Sequence, residues 1–492
     1  MAMEHGLLFL PAQLLLLASF LLACIFLLCC NISKRNLKQA AAIGNHPLPP
    51  GTTGWPIIGE TLDYYSHGRR GSLEMFVADR RQKYGSEVFT TSLIGYPMAM
   101  LCGAEGNKLL FSNEDKLVQV WFPKSAQKLF SKSHDKFQGK DPLKVRRILA
   151  AFLKASALHK FVGTMDAVMK QQIETYLGCE TAKGSHVASR CILAVACRLL
   201  LGIMNDPGKI EKVHSSLKDI AGGIVSIGID LPGTKFSRAL KATKALGAEL
   251  RTMFKQRRVD LLEKRASPTE DILSHMLLAK DENGEFLDEE DIAAYLVGLL
   301  LAGYEAPKAA LSSIIKYLAE IPQVYEGVLK EQTNIAKSKV QGELLTWEDA
   351  RKMKYSWNVA SEVFRMAPPS LGTFREAIVD FTFAGHTILK GTKIHWNTHS
   401  THKDPKYFPD PEKFDPSRFD GNGPPPYSFV PFGGGPRMCP ANEYTKFVVL
   451  VFMHNMVTKF SWELLDPNEK VVFNSGPVPA QGLPIRLYPH KS

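Results

Sequence analysis

Cysteine is scarce in this chain, eight in 492 residues, and three of them (Cys24, Cys29 and Cys30) lie in the first 30. No CxxC pair occurs and no Cys/His group has zinc-ligand spacing. A disulfide scaffold and a structural zinc module are thereby excluded, and free thiols in a reducing compartment are expected. The phosphate-loop pattern GxxxxGK[ST] is absent. So is any block of Lys and Arg with interleaved aromatics, although Lys plus Arg number 60 against 49 Asp plus Glu, a net +11. Spread over this length, that excess suits an anionic membrane surface or an acidic protein partner and argues against nucleic acid. Hydrophobic residues at 45% and charged residues at 22% are ordinary for a globular protein. Disorder, a collagen-like fibre and a many-pass membrane bundle are excluded for the chain as a whole.

Charge is missing altogether from Gly6 to Cys30. A helix of that length crosses ~30 Å of hydrocarbon. Glu4 and His5 precede the run, and Lys34, Arg35 and Lys38 follow it. The basic flank trails, which puts residue 34 onward in the cytosol. A cleaved signal peptide would instead carry basic residues first and small residues at a cut site. Residues 1–33 therefore read as a membrane anchor, and the sequon Asn31-Ile32-Ser33 falls on the cytosolic face, where it goes unused. Residues 34–50 form a basic hinge ending in Pro47-Leu48-Pro49-Pro50, and 51–492 read as one large catalytic domain with no second linker or repeat.

Helical periodicity dominates between about 140 and 370, and the clearest run, Asp288 to Tyr317, opens on four acidic residues. Short strand-like pieces fall near 87–101, at Phe381–Lys390 and near 470–488. From Lys403 the chain turns proline-rich and irregular, which in a compact domain marks a site-forming segment. The fold class expected is mostly α with small β-sheets (α+β).

The most informative stretch is Phe432-Gly433-Gly434-Gly435-Pro436-Arg437-Met438-Cys439-Pro440-Ala441. Three glycines let backbone approach a flat ligand and take positive φ. Cys439 precedes an apolar, helix-like run from Tyr444 to Val457, and a thiolate near a helix N-terminus is stabilised by the dipole. Arg437 could meet an anionic group on the same ligand. The layout suits a Cys-ligated haem. On these ten residues alone, a glycine-rich turn beside a structural cysteine stays open.

The segment resembles the haem-binding signature of cytochrome P-450 enzymes, Phe-x-x-Gly-x-Arg-x-Cys-x-Gly. Phe432, Gly435, Arg437 and Cys439 match in register, and Ala441 stands at the last glycine. Glu362-Val363-Phe364-Arg365 is similar to the family's Glu-x-x-Arg, and Arg418 lies in its Pro-x-Arg-Phe. The resemblance covers nearly the whole chain. It implies a cytochrome P-450 fold after one N-terminal transmembrane helix, and haem b with Cys439 as axial ligand of the iron. It also implies a structural clasp of Glu362, Arg365 and Arg418, and haem propionates held by Arg146, Arg375 and Arg437. The family's acid–alcohol pair, which delivers protons during dioxygen activation, corresponds to Glu305 and Ala306. The alcohol is lost here, and Pro307, expected to kink the helix, follows.

Several stretches, among them Phe111-Ser112-Asn113-Glu114-Asp115-Lys116 and Ile229-Asp230-Leu231-Pro232-Gly233, look like the plant branch of pentacyclic triterpene oxidases and taxane hydroxylases. That likeness implies an apolar multi-ring terpenoid substrate, with Trp121, Phe122, Leu299, Ala302 and Leu371 as candidate contacts. It implies the endoplasmic reticulum membrane and electrons from an NADPH-cytochrome P-450 reductase. The missing alcohol keeps open rearrangement, desaturation or dehydration on the same scaffold; a hormone or steroid hydroxylase and a non-enzymatic haem-binding membrane protein are the other readings. Deleting residues 1–33 is expected to lower the fraction of the protein that stays with alkaline-washed microsomes, measured by sedimentation and immunoblot. Unchanged retention would remove the anchor assignment.

Overall fold

The computed structural model describes residues 46–490 apart from 56–57, 131–148, 150–151, 205, 225, 227, 281–283 and 474–475. The expected anchor, most of the hinge, and Arg146 lie outside the described residues. The end of the hinge is fastened to the body. The Thr387 N–H donates to the Pro47 carbonyl at 2.9 Å and the Thr90 N–H to the Pro50 carbonyl at 2.7 Å.

Helices form the bulk. Gly184–Leu201 is apolar on nearly all sides and long enough to cross a membrane by composition, yet 78% of it is buried inside the protein. A helix apolar all round belongs in a core, and this one packs against Val162–Glu174 and Glu289–Glu320. It ends where Gly202 adopts φ 65°, a left-handed cap. Asn442–Lys459 is buried almost continuously from Tyr444 to Val457 for the same reason.

The long helix spans Glu289–Glu320. Asp288 caps it by accepting from the Glu290 N–H at 2.6 Å, and Glu289, Glu290 and Asp291 complement the dipole. The helix runs through Pro307 without interruption, so one lost backbone bond is tolerated within a buried, packed element. The run expected from 288 to 317 is present and extends to Glu320.

One five-stranded sheet flanks the helices, in the order Val88–Leu93, Tyr96–Leu101, Lys393–Asn397, Gly372–Ala377, Val118–Val120. The first two strands form the hairpin expected near 87–101, and Tyr96–Leu101 pairs in parallel with Lys393–Asn397. Gly372 takes φ 122° with its α-carbon against the Trp396 carbonyl, where a β-carbon would collide. The hairpin of Phe381–Phe383 with His386–Ile388 also matches expectation. The strands at 118–120, 372–377 and 393–397 were not evident in the pattern.

The segment Lys393–His402 buries three imidazoles. Burial holds His395 and His399 at a pKa of about 4 and His402 at about 3, below the ordinary 6.5. The fold therefore binds fewer protons than the unfolded chain, and stability falls as pH drops from 6.5 toward 4. Neither ring nitrogen of His399 has a hydrogen-bond partner among the described residues. His399→Leu should lose less stability than the parent between pH 7 and pH 4.5 in urea denaturation. Equal losses would show that His399 does not titrate in this way.

Candidate active site

Glu362 and Arg365 lie three apart on the helix Lys354–Met366 and so share a face. Both side chains are fully buried. The guanidinium is bidentate, with Nε–Oε2 at 2.7 Å and Nη2–Oε1 at 2.8 Å. Other segments satisfy the remaining capacity. Arg365 Nη1 donates to the His402 carbonyl at 2.9 Å, Nη2 to the Lys413 carbonyl at 3.3 Å, and the Asp415 N–H donates to Glu362 Oε1 at 2.9 Å. Arg418 Nε stands 3.4 Å from the same Oε1, while its Nη2 reaches the Asp410 carbonyl at 3.0 Å.

The tie continues toward the glycine loop. His402 Nε2 accepts from the Val430 N–H at 2.9 Å, so this imidazole is neutral, with its proton on Nδ1. Phe429 packs on its ring at 5.2 Å. Beyond Val430 the loop closes on itself: the Gly433 N–H donates to the Val430 carbonyl, and the Cys439 N–H donates to the Phe432 carbonyl at 2.9 Å. Gly433 and Gly435 take φ 71° and 65°. A β-carbon at Gly434 or Gly435 would strike Phe111, so these two glycines serve the loop's seating on the protein itself. Cys439 follows this loop, half-buried, three residues ahead of the Asn442–Lys459 helix.

A cavity of about 420 Å³ lies between this loop and the long helix. The helix presents a stripe of small residues to it, Ala302, Gly303, Ala306 and Ala310, with Leu299 and Pro307. Phe432, Gly433, Gly434 and Cys439 form the opposite wall. Arg375 and Arg437 supply the charge of the lining. The walls are otherwise mainly apolar.

Of the residues expected at the site, Leu299, Ala302, Ala306, Phe432, Arg375, Arg437 and Cys439 all line this one cavity. Gly435 is adjacent but does not line the cavity. Three expected substrate contacts, Trp121, Phe122 and Leu371, are not among the residues that line this cavity. Trp121 is buried between Tyr96 and Phe374, at ring distances of 4.9 and 5.8 Å. Phe122 and Leu371 use their carbonyls to accept from Gln127 and Thr398. Trp121 and Leu371 adjoin the paired strands Val118–Val120 and Gly372–Ala377. Glu305 is also off the wall. Lys308, one turn along on the far side of the helix, holds both its oxygens at 2.9 and 2.8 Å.

Two groups escaped the sequence reading. Tyr304 is buried, with its hydroxyl between Ser189 Oγ at 2.7 Å and His214 Nε2 at 2.9 Å, pinning the long helix to two neighbours. Glu114 is a buried carboxylate against Arg375, Nε–Oε2 2.7 Å, and 3.9 Å from Arg437 Nε. Burial pushes its pKa up, opposed by both arginines. Glu114 stands in a stretch noted only as a branch marker, and an acid after a helix gives no local sign of burial.

The residues fit a haem with thiolate ligation. Cys439 shares a cavity wall with Gly433 and Gly434, the cavity is mainly apolar, and Arg437 Nε is buried without a hydrogen-bond partner among the described residues. The chain belongs to the cytochrome P450 family, whose model matches residues 49–488. It is 51% identical over 458 residues to a beta-amyrin 28-monooxygenase of Kalopanax septemlobus, covering 92% of this chain and 95% of that one. It is 47% identical over 479 residues to a beta-amyrin 16-beta-monooxygenase of Platycodon grandiflorus, covering 96% and 97%. The solved structure of retinoic acid-bound cyanobacterial CYP120A1 superposes with a TM-score of 0.81 at 31% identity, over 91% of this chain and 100% of that one.

Glu362→Ala would leave the Arg365 cation buried and unpaired, which costs about 3–5 kcal/mol. Denaturant unfolding should show that loss; a change under about 1 kcal/mol would show that solvent or a neighbour relieves the cation.

Proposed function

We propose that this chain is a haem-thiolate monooxygenase that inserts one oxygen of O2 into an apolar pentacyclic triterpene of the beta-amyrin type. The observation that carries the reading is the apolar cavity walled by Cys439 on one side and the small-residue stripe of the long helix on the other. Relatives near half identity over nearly the whole chain are named as beta-amyrin monooxygenases, which favours net oxygenation over rearrangement or non-enzymatic haem binding. They differ in the carbon oxidised, 28 or 16β, so the product assay assigns the position. Residues 1–33 anchor the enzyme to the endoplasmic reticulum, and an NADPH-dependent reductase docks by charge to supply electrons.

Haem held by Cys439, with Arg375, Arg437 and, by the family motif, Arg146 at its propionates, supplies dioxygen activation, which thiolate donation favours. The protein's own residues do the rest. Ala302, Gly303 and Ala306 keep the helix wall low, leaving room for a bulky ring system and presenting few groups that hold water. Ala306 offers no hydroxyl to donate a proton. Pro307 has no N–H, which leaves the Gly303 carbonyl without its i+4 donor beside Ala306. A water held at that carbonyl takes the place of the alcohol; Glu305, the acid of the family motif, is paired with Lys308 behind the wall and would have to leave that pair and turn toward the cavity to recharge it.

The test is turnover of beta-amyrin in microsomes with a plant reductase under ¹⁸O₂. The expected product carries heavy oxygen, and Cys439→Ala abolishes it. A product free of heavy oxygen would establish desaturation or rearrangement instead. Ala306→Thr should change the NADPH consumed per product formed.

A further inference from the structure

Glu114 belongs to none of the haem-site motifs, yet it stands directly behind the two arginines that line the cavity. Its side chain is 1% exposed, beside two arginines of the cavity lining. The backbone around it is tightly held. Asp115 donates its N–H to the Val118 carbonyl at 2.7 Å, and Val118–Val120 then pairs with the strand bearing Arg375, with Val120 opposite Arg375 itself. The carboxylate is therefore fixed relative to that strand.

Arg375 is restrained by three contacts: Nε to Glu114, and Nη1 to the Thr373 hydroxyl at 3.0 Å and the Phe374 carbonyl at 2.9 Å. Trp396 Nε1 donates to the same hydroxyl at 2.9 Å, fixing Thr373 in turn. Nη2 has no hydrogen-bond partner among the described residues and is left for the cavity. Arg437 is drawn to the same acid and to Asp115 Oδ2 at 3.5 Å. Glu114 Oε1 and Arg437 Nε are both buried without a hydrogen-bond partner among the described residues. Two guanidinium groups that would otherwise repel across a mainly apolar cavity are held around one anion.

We propose that Glu114 is a positioning residue of the cofactor site: its carboxylate orders Arg375 and Arg437 before haem binds, and its charge lowers the haem potential. The inference rests on the reading above, that these arginines meet the haem carboxylates. Ordering a guanidinium in advance removes that cost from binding. A buried negative charge favours the more positive, oxidised cofactor, so removing it makes reduction easier.

The experiment uses the purified full-length holoenzyme in detergent, with Glu114→Gln, Glu114→Asp, Arg375→Gln and Arg437→Gln. The midpoint potential is read by dye-coupled titration and haem release by transfer to apomyoglobin. Glu114→Gln is expected to shift the midpoint positive and to release haem about tenfold faster, the loss of one charge-assisted hydrogen bond. Glu114→Asp keeps the charge with a shorter reach, so it should keep a near-parental midpoint while still releasing haem faster. It also serves if the glutamine variant fails to fold, since a shifted midpoint in Glu114→Asp would overturn the charge assignment. A parental midpoint in Glu114→Gln overturns the proposal whatever the release rate. Arginine variants that both release haem at the parental rate would overturn the underlying reading instead.

Discussion

A carboxylate and a guanidinium with no solvent exposure meet at Glu362 and Arg365, and the irregular segment that begins at Lys403 is arranged around them. Burying both charges is costly, so such a pair is weak evidence for net stability. It does constrain where its neighbours go, because every remaining donor and acceptor must find a partner. Those partners are the backbones of His402, Lys413 and Asp415, in a stretch with little regular structure of its own. From His402 the constraint passes through one hydrogen bond to Val430, and from there into the loop that ends at Cys439. The thiolate's position is thereby referred back to a helix more than seventy residues earlier.

The other wall depends on what side chains omit. Ala302, Gly303, Ala306 and Ala310 leave a space because they are small, while the far side of the same helix is occupied by Tyr304 and by the Glu305–Lys308 pair. One helix thus separates an apolar chamber from a polar back. Pro307 joins the two sides: it subtracts a donor from a carbonyl beside Ala306, where the family motif would have placed a hydroxyl. Charge inside the chamber is confined to the arginine end, so an apolar ring system and an anionic cofactor edge have separate places.

Local patterns were legible where a residue's role depends on near neighbours. Acidic residues before an apolar run marked the start of the long helix, paired β-like runs marked two hairpins, and spacing placed Cys439 just ahead of a helix. Strands 372–377 and 393–397 pair with each other across an intervening hairpin, but their other edges pair with 118–120 and 96–101, far back in the sequence, and the polar residues in them, Arg375 and His395, are buried by the cavity and the sheet. Trp121, a candidate contact on the resemblance, packs between Tyr96 and Phe374, a placement that only the tertiary structure gives. Glu114 shows the limit most clearly. An acid in a polar turn looks solvated until a strand 260 residues away brings an arginine to it.

The sequence by itself determined the chemistry available: a single thiol after a glycine loop, a Glu-x-x-Arg pair at helical spacing, and an alanine where a hydroxyl is usual. Each is a statement about residue type and short-range spacing, which covalent geometry carries. Tertiary structure alone decided which arginines share an anion, which side of the long helix faces the cavity, and that Gly434 and Gly435 are small for the sake of Phe111. Those outcomes depend on contacts between segments hundreds of residues apart, and burial sets their energies.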